Sequence, residues 1–495
     1  MSRISCHLLL VLLLSAAAQA GEGMARPTVL RLTLEKALEL ALAKNFSIEV
    51  QRFSPKIAQE AIRAELGRFD PRLELSATTG ETTRRDIFEN GLRLETKPTT
   101  QRLDQLSGGI AGVTSWGTEY DLGYTTQRRT GSDILFDTPY ESTAGLGLRQ
   151  PLLRNAGPSV NLAQVRIARN NVRVSEWQLR DRVIEVMTTL SYVFNDLQLA
   201  IENRAVAERS RELARTLLGD NEKREAFGAL AKLDVTTARA QVASREEGVI
   251  LAERNVLDNE NLLKQLTTRD ILQMLDVRVE IEPPESPKFE ANVLGGVRDA
   301  LALRPDYRQA LLELERRHIT VVLQKNQTLP RIDLTGSLDL LGLDTDYATS
   351  VGRIGRRDNR EWTAGVLFSI PLGNRAAHAN LSAARLEVAR SLVALQQLEQ
   401  QIVVDVDNAS GQIVTSRQRI ASTVEARRLA RESLSAGEER LRAGTGTTFE
   451  VLELQEKLAT SEYAELLARS DYNKAVAEYH RQTGTSLRVH GVAMK

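Results

Sequence analysis

Two stretches of this chain contain no proline, and that absence limits what it can fold into more than any other feature. After Pro158 the next proline is Pro283, and after Pro371 there is none up to Lys495, so each run is 124 residues long. A proline removes a backbone donor and clashes with the preceding turn, so very long helices need proline-free sequence. Both runs follow a strand-like stretch that stops at a proline. In "TAGLGLRQPLLRN", residues 143–155, Ala144, Leu146 and Leu148 alternate with Gly145, Gly147 and Arg149 before Pro151. In "TAGVLFSIPLGNR", residues 363–375, the same rhythm runs through Ala364, Val366 and Phe368 to Pro371. A period of two that gives way to a helix-permissive run, twice over, predicts a duplicated chain of mixed architecture.

Composition sets the kind of helix. Charged residues make up 26 % and aromatics only 4 %, which favours long helices with narrow apolar seams over thick aromatic cores. In the first run Val183, Met187, Leu190, Val193 or Phe194, Leu197, and Ala200 or Ile201 keep the 3,4 spacing of a coiled-coil seam. In the second run the seam is Val388, Leu392, Leu395, Leu398, Ile402, Val406, Ala409 and Ile413. A helix of about 60–65 residues would be about 90–100 Å long. The returning helix, at 230–267, is too short to match it, and an opening helix at 37–69 supplies the difference, which predicts a rod of even thickness. The formal charge is zero, from 65 basic and 65 acidic residues, so no global field argues for nucleic acid.

The amino terminus reads as an export signal over residues 1–20: Arg3, an apolar run from Leu8 to Ala18, then Ala18-Gln19-Ala20 as a small-x-small cleavage site. The run falls short of the ~20 residues that span a bilayer. Cys6, the only cysteine, precedes the apolar run, so it is not the lipid-bearing cysteine of a lipoprotein signal.

The duplication is visible by offset. Residues 41–77 align on 300–336 without a gap, so that Pro71-Arg72-Leu73 meets Pro330-Arg331-Ile332. "GALAKLDV" (228–235) aligns on "GTGTTFEV" (444–451). The expected domains are a first repeat at 21–281, a proline-rich linker at 282–290, a second repeat at 291–485 and a tail at 486–495. Strands are expected at about 72–80, 141–150, 331–341 and 361–370. An additional candidate hairpin lies at 108–126, with polar loops at 81–104 and 342–360. Leu73, Leu75 and Ala77 alternate with Arg72, Glu74, Ser76 and Thr78, and Ile332, Leu334, Leu338 and Leu340 with Arg331, Asp333, Ser337 and Asp339. After an export signal, such strands fit an outer-membrane barrel, apolar outside and polar inside. Trp362 and Phe368 would then sit at the membrane interfaces. Four to six strands cannot close a barrel, and an open edge in lipid is prohibitive, so the chain must oligomerise.

The segments "LTLEKALELALAKN", "ALALRPDY", "LPRIDLTGSL", "LRQPLLRNAG", "FSIPLGNR" and "RLRAGTGTTFEVLELQ" resemble, in order, motifs of the TolC-like outer-membrane efflux family. The resemblance covers nearly all of 31–485. It implies a fold that is mainly α with a β-barrel sector: duplicated coiled-coil hairpins form a periplasmic tunnel, and four strands per chain (six if 108–126 forms a hairpin) join a trimeric barrel. It also implies a homotrimer in the outer membrane of a Gram-negative bacterium, a periplasmic adaptor and an inner-membrane pump as partners, and a passive duct for efflux or type I secretion. A coiled-coil rod or adhesin without a lumen is the competing reading. The chain departs from the family pattern at Asn45-Phe46-Ser47, where the second repeat has Arg304-Pro305-Asp306.

No catalytic constellation appears, and no cofactor or metal is expected: His318, His378, His480 and His490 lack metal spacing, and Met187, Met274 and Met494 do not cluster. Function should concentrate at the helix turns. Gly228, Ala229 and Asp234 in the first, and Gly444, Thr445, Gly446 and Glu450 in the second, are the candidate adaptor-docking residues. Gly228 and Gly444 permit the reversal, while Asp234 and Glu450 suit the first turn of the returning helix. The resemblance implies a charged periplasmic gate, for which Glu432, Glu438, Glu439 and Arg442 are the candidates.

Overall fold

The computed structural model describes residues 29–84, 88–89, 92–93, 98–131, 139–283 and 289–492. The expected signal segment and the middle of the linker, 284–288, lie outside the described residues. In chain order the elements are β1 (Val29–Leu32), α1 (Leu34–Lys44), α2 (Phe46–Leu66), β2 (Arg72–Arg84), β3 (Phe88–Glu89), β4 (Leu92–Arg93), β5 (Thr99–Val113), β6 (Glu119–Gly131) and β7 (Tyr140–Pro151). Next come α3 (Pro158–Asn161), α4 (Ala163–Ala226), α5 (Lys232–Thr267), β8 (Arg278–Ile281), α6 (Val293–Leu303), α7 (Pro305–Gln327) and β9 (Arg331–Asp344). The chain ends with α8 (Tyr347–Arg356), β10 (Asn359–Ser369), α9 (Arg375–Arg442), α10 (Thr448–Gln482) and α11 (Ser486–Val489). Among the described residues no helix is long and apolar enough to cross a membrane. The two proline-free runs hold α4 and α9, of 64 and 68 residues.

The chain forms two compact units. The first contains the described residues up to Glu49, Val183–Gly296, and Val406 onward. Its core includes the seam of α4, with Val183, Met187, Leu190, Phe194, Leu197 and Ala200 all buried, so Phe194 and Ala200 rather than Val193 and Ile201 face inward. Ile413, Val406 and Ala409 of α9 are buried as well. A parallel pair, β1 on β8, ties the segment after the expected signal to the end of the first repeat. The expected tail is docked rather than free: it opens with α11, and Thr483, Thr485 and Ser486 are buried.

The second unit, Val50–Arg182 and Val297–Asp405, holds the sheet. Six strands lie in the order β10-β9-β7-β6-β5-β2, all neighbours antiparallel. The segment at 108–126 does form a hairpin, turning at Thr114–Thr118, so the count is six. β7 of the first repeat pairs directly with β9 of the second. In this unit most of the α9 seam is open: Leu381 is buried, but Leu392 is 44 % exposed and the next buried seam residue is Ile402.

Three expectations need correction. The opening helix is not continuous; it breaks at Asn45, and its counterpart breaks at Arg304. At the first break the Asn45 side-chain oxygen accepts from the Ser47 and Ile48 N–H groups, at 2.9 and 3.4 Å, and so starts α2. At the second, Pro305 starts α7, and Arg304 donates to Asp306 at 2.7 Å and to Asp405 at 3.2 Å. The departure at Asn45 thus makes the same restart by a different cap. The expected loop at 81–104 is partly strand, because β2 runs on to Arg84 and β5 begins at Thr99. The expected loop at 342–360 contains α8, whose amino end is capped by the Asp346 carboxylate accepting from Thr349 N–H at 3.1 Å.

Candidate functional site

The two helix turns lie in the first unit and share one geometry. Gly228 has φ 74° and Gly444 φ 78°, the left-handed conformation that glycine adopts without a Cβ penalty. At the first turn Gly228 N–H donates to Glu225 C=O at 2.8 Å, and Ala229 N–H to Arg224 C=O at 2.9 Å. At the second, Gly444 N–H donates to Leu441 C=O at 3.2 Å, and Thr445 N–H to Arg440 C=O at 3.0 Å. Both are Schellman endings, which satisfy carbonyls that a helix end leaves open. The structure brings the turns together: Arg224 donates to Leu441 C=O at 3.2 Å, and the buried Thr448 hydroxyl lies 3.5 Å from the Asn221 side-chain oxygen. Beneath them Leu217, Ala430, Leu434, Leu441, Val451, Leu452 and Leu458 form one core.

The returning helices start differently. Thr447 caps α10 by accepting from Glu450 N–H at 3.2 Å, and the Glu450 carboxylate takes a 2.6 Å ion pair from Arg440. At α5 the corresponding residue is Ala231, with no side-chain cap, and Asp234 N–H donates to Ala231 C=O at 3.0 Å. Gly446 is the tightest of the three turn glycines. A Cβ there would meet Leu441 N at 3.1 Å and Arg440 C at 3.2 Å, whereas Gly228 and Gly444 have open space.

The expected gate candidates fall on different parts of α9. Glu438 and Arg442 pair at 3.7 Å, and both line a cleft with Asp220, Asn221 and Arg224 of α4. Glu432 pairs instead with Arg428 at 2.5 Å, on an exposed strip that also holds Glu425 and Glu439. The hydrogen bond from Arg428 holds the Glu425 carboxyl below its usual range. The four are not one cluster.

Three exposed apolar residues at the turns went unmarked in the sequence reading: Phe227, Leu233 and Phe449, which are 87 %, 75 % and 69 % exposed. The repeat alignment held the signal, since it places Leu233 on Phe449. No group of three or more His, Cys, Asp or Glu among the described residues could hold a metal.

The sheet has two contrasting faces. Following the registers, one face carries Leu73, Leu75, Leu106, Ile110, Leu122, Leu146, Leu148, Leu334, Leu338, Trp362, Val366 and Phe368. Every one of these is exposed, Trp362 at 70 % and Phe368 at 60 %. The other face carries Arg72, Glu74, Gln105, Asp121, Gln127, Glu141, Ser337, Asp339 and Thr363. There Arg149 donates to Glu119 at 2.9 Å and to Asp333 at 2.8 Å, and Arg331 joins Asp333 at 2.7 Å. Soluble sheets do not leave so wide an apolar face bare. α8 covers only its loop end, where the Ser142 and Ser350 hydroxyls lie 2.9 Å apart.

The fold is shared with known proteins. The Campylobacter jejuni CmeC outer membrane channel matches with a TM-score of 0.67 at 17 % identity, covering 91 % of this chain and 85 % of that one. The outer membrane protein VceC of Vibrio cholerae matches with a TM-score of 0.66 at 17 % identity, covering 91 % of this chain and 96 % of that one. Among curated proteins none matches. The family model described as outer membrane efflux protein matches residues 119–269 and 296–485, which take in both turns. The chain belongs to the outer membrane efflux protein family.

Proposed function

We propose that three copies of this chain form one passive exit duct of a tripartite efflux or type I secretion system, joined through the helix turns to a periplasmic adaptor and an inner-membrane pump. The observation that carries the reading is the sheet: apolar on one face, charged on the other, and open at both edges. β10 is an edge strand of 11 residues. It directs about half its N–H and C=O groups outward, and in lipid each unsatisfied group costs several kcal/mol, so an unclosed edge costs tens. The polar face then lines water, and the apolar face meets lipid. In this reading energy for transport comes from the pump. Planar-bilayer recording of the purified protein tests the reading. Stepwise conductance supports it; a protein that inserts but never conducts, even after charge substitutions at Glu438 and Arg442, supports a rod without a lumen.

A further inference from the structure

The six-stranded sheet specifies more than closure, because its registers fix how a neighbouring copy must join it. Across the sheet Arg72 stands opposite Ala111, Ala111 opposite Asp121, Asp121 opposite Gly147, Gly147 opposite Ser337, and Ser337 opposite Thr363. β2 therefore begins level with the middle of β10 and not with its end at Ser369. The number of strands is even, so β2 of one copy runs antiparallel to β10 of the next and can extend the same ladder. Both strands are bounded by prolines that lead to helices, Pro71 before β2 and Pro371 after β10. Aligning those ends sets Arg72 opposite Ser369.

We propose that this is the subunit junction: β2 pairs with β10 of the next copy in the register Arg72 to Ser369, closing an eighteen-stranded barrel. The inference rests on the three-copy assembly proposed above. Parity supports the register independently. It sets Leu73 opposite Phe368, Leu75 opposite Val366 and Ala77 opposite Ala364, so the apolar face continues without a break. A shift by one residue would turn the whole face over at every junction.

The register also sets the bore. Moving Arg72 from the level of Thr363 to Ser369 adds a stagger of six residues per copy. Around eighteen strands spaced about 4.8 Å, with a rise of about 3.3 Å per residue, that stagger gives a tilt of about 35° and a backbone radius of about 17 Å. The tilt is at the edge of the ordinary range for closed barrels, which was not imposed. Without β5 and β6 three copies would give only twelve strands and a bore about a third narrower. An α-helix is about 10–12 Å across with its side chains, so the barrel section would admit a helical polypeptide as well as small molecules.

Paired cysteines test the junction, with the full-length protein in detergent and native mass spectrometry to count copies. Directly opposite residues have Cβ atoms about 4.5–5.5 Å apart and those displaced by two about 7–8 Å, while a disulfide needs about 3.5–4.5 Å. Leu75→Cys with Val366→Cys should give a covalent trimer on mild oxidation, and Leu75→Cys with Ala364→Cys should not. The reverse pattern would overturn the register and with it the tilt and bore. An intact trimer that cross-links in neither variant would overturn the β2–β10 junction. A copy number other than three would remove the assembly on which the inference rests, a failure distinguishable from the other two.

Discussion

The turn at Gly444 offers a clean way to separate partner docking from folding. A Cβ built there meets nothing within 4 Å, so Gly444→Trp places its ring in open space. What the substitution costs the chain is backbone strain, because φ 78° is left-handed. That amounts to about 1–2 kcal/mol for an L-residue, confined to the end of a 68-residue helix whose Schellman bonds remain available. Such a cost should leave trimer yield nearly unchanged. The proposed docking is another matter, since an indole on the turn would block close approach of a partner hairpin. The expected result is normal heat-resistant trimer in the outer membrane and strongly reduced efflux, measured on the same cells. Gly444→Ala is the control: it carries the same strain without the bulk and should keep most of the efflux. If Gly444→Trp exports normally, or if Gly444→Ala is as damaged as Trp, the docking argument fails.

Other outcomes follow from the same geometry. Gly437 is buried on α9, and a Cβ there would run into Leu454 of α10, so Gly437→Leu should lower the melting temperature and trimer yield by overpacking worth about 1–3 kcal/mol. Val366→Arg, on the apolar face, should cost about 2–4 kcal/mol per copy and deplete the membrane-inserted form, while Thr363→Arg, on the opposite face, should insert normally and change single-channel conductance. Near the carboxyl end of α10, burial pushes the His480 imidazole down to about 4, helped by the charges of His490 and Arg488. Because the folded chain holds this proton more weakly than the unfolded one, stability should fall as pH drops from about 6.5 to 4. Burial would raise the Glu478 carboxyl, but hydrogen bonds from Arg481, Tyr192 and Gln482 outweigh it and hold the group at about 2, so its contribution, complete above about 4.5, is lost at lower pH still. Thermal scans of a His480→Gln protein should flatten the first fall and keep the second. Thr447→Ala should destabilise the second turn by about 1 kcal/mol, seen as faster amide exchange in the first turn of α10.

Much of the architecture was legible because it rests on local rules. Proline positions marked where strands stop, and the 3,4 spacing picked out Leu190, Phe194 and Leu197, which are fully buried. Alternation in Leu73, Leu75 and Ala77 marks the apolar side of the sheet from one strand alone. The rest depended on partners distant in sequence. Asn45 is a residue type that caps helices, but the uninterrupted apolar spacing around it hides the break, and comparison with Arg304-Pro305 does not reveal it because that restart uses unrelated chemistry. The amphipathic α8 sat in a segment whose arginines and glycines read as polar loop. Sheet order, with β7 beside β9, is a tertiary fact that no window of sequence contains. Charge alone marks the gate candidates in sequence, and charge does not tell which side of a helix meets its neighbour. Glu438 and Glu439 are adjacent in sequence, yet one lines the cleft against α4 and the other is exposed.

The two turns match in their glycines and differ in how firmly they are tied. One is fastened by the Thr447 cap and the Arg440–Glu450 ion pair; the other has no side-chain cap, and its ion pair, Arg239 of α5 to Glu222 of α4 at 2.8 Å, lies further back along the hairpin. In a ring of three chains, firm and compliant tips would alternate around the opening. Six hairpins of like outline would then behave mechanically as three movable leaves hinged between three fixed posts. A partner that pulls on the ring would find its purchase at the fixed positions and its travel at the compliant ones. Duplication would have supplied the outline, and the later loss or gain of a single cap would have divided the labour.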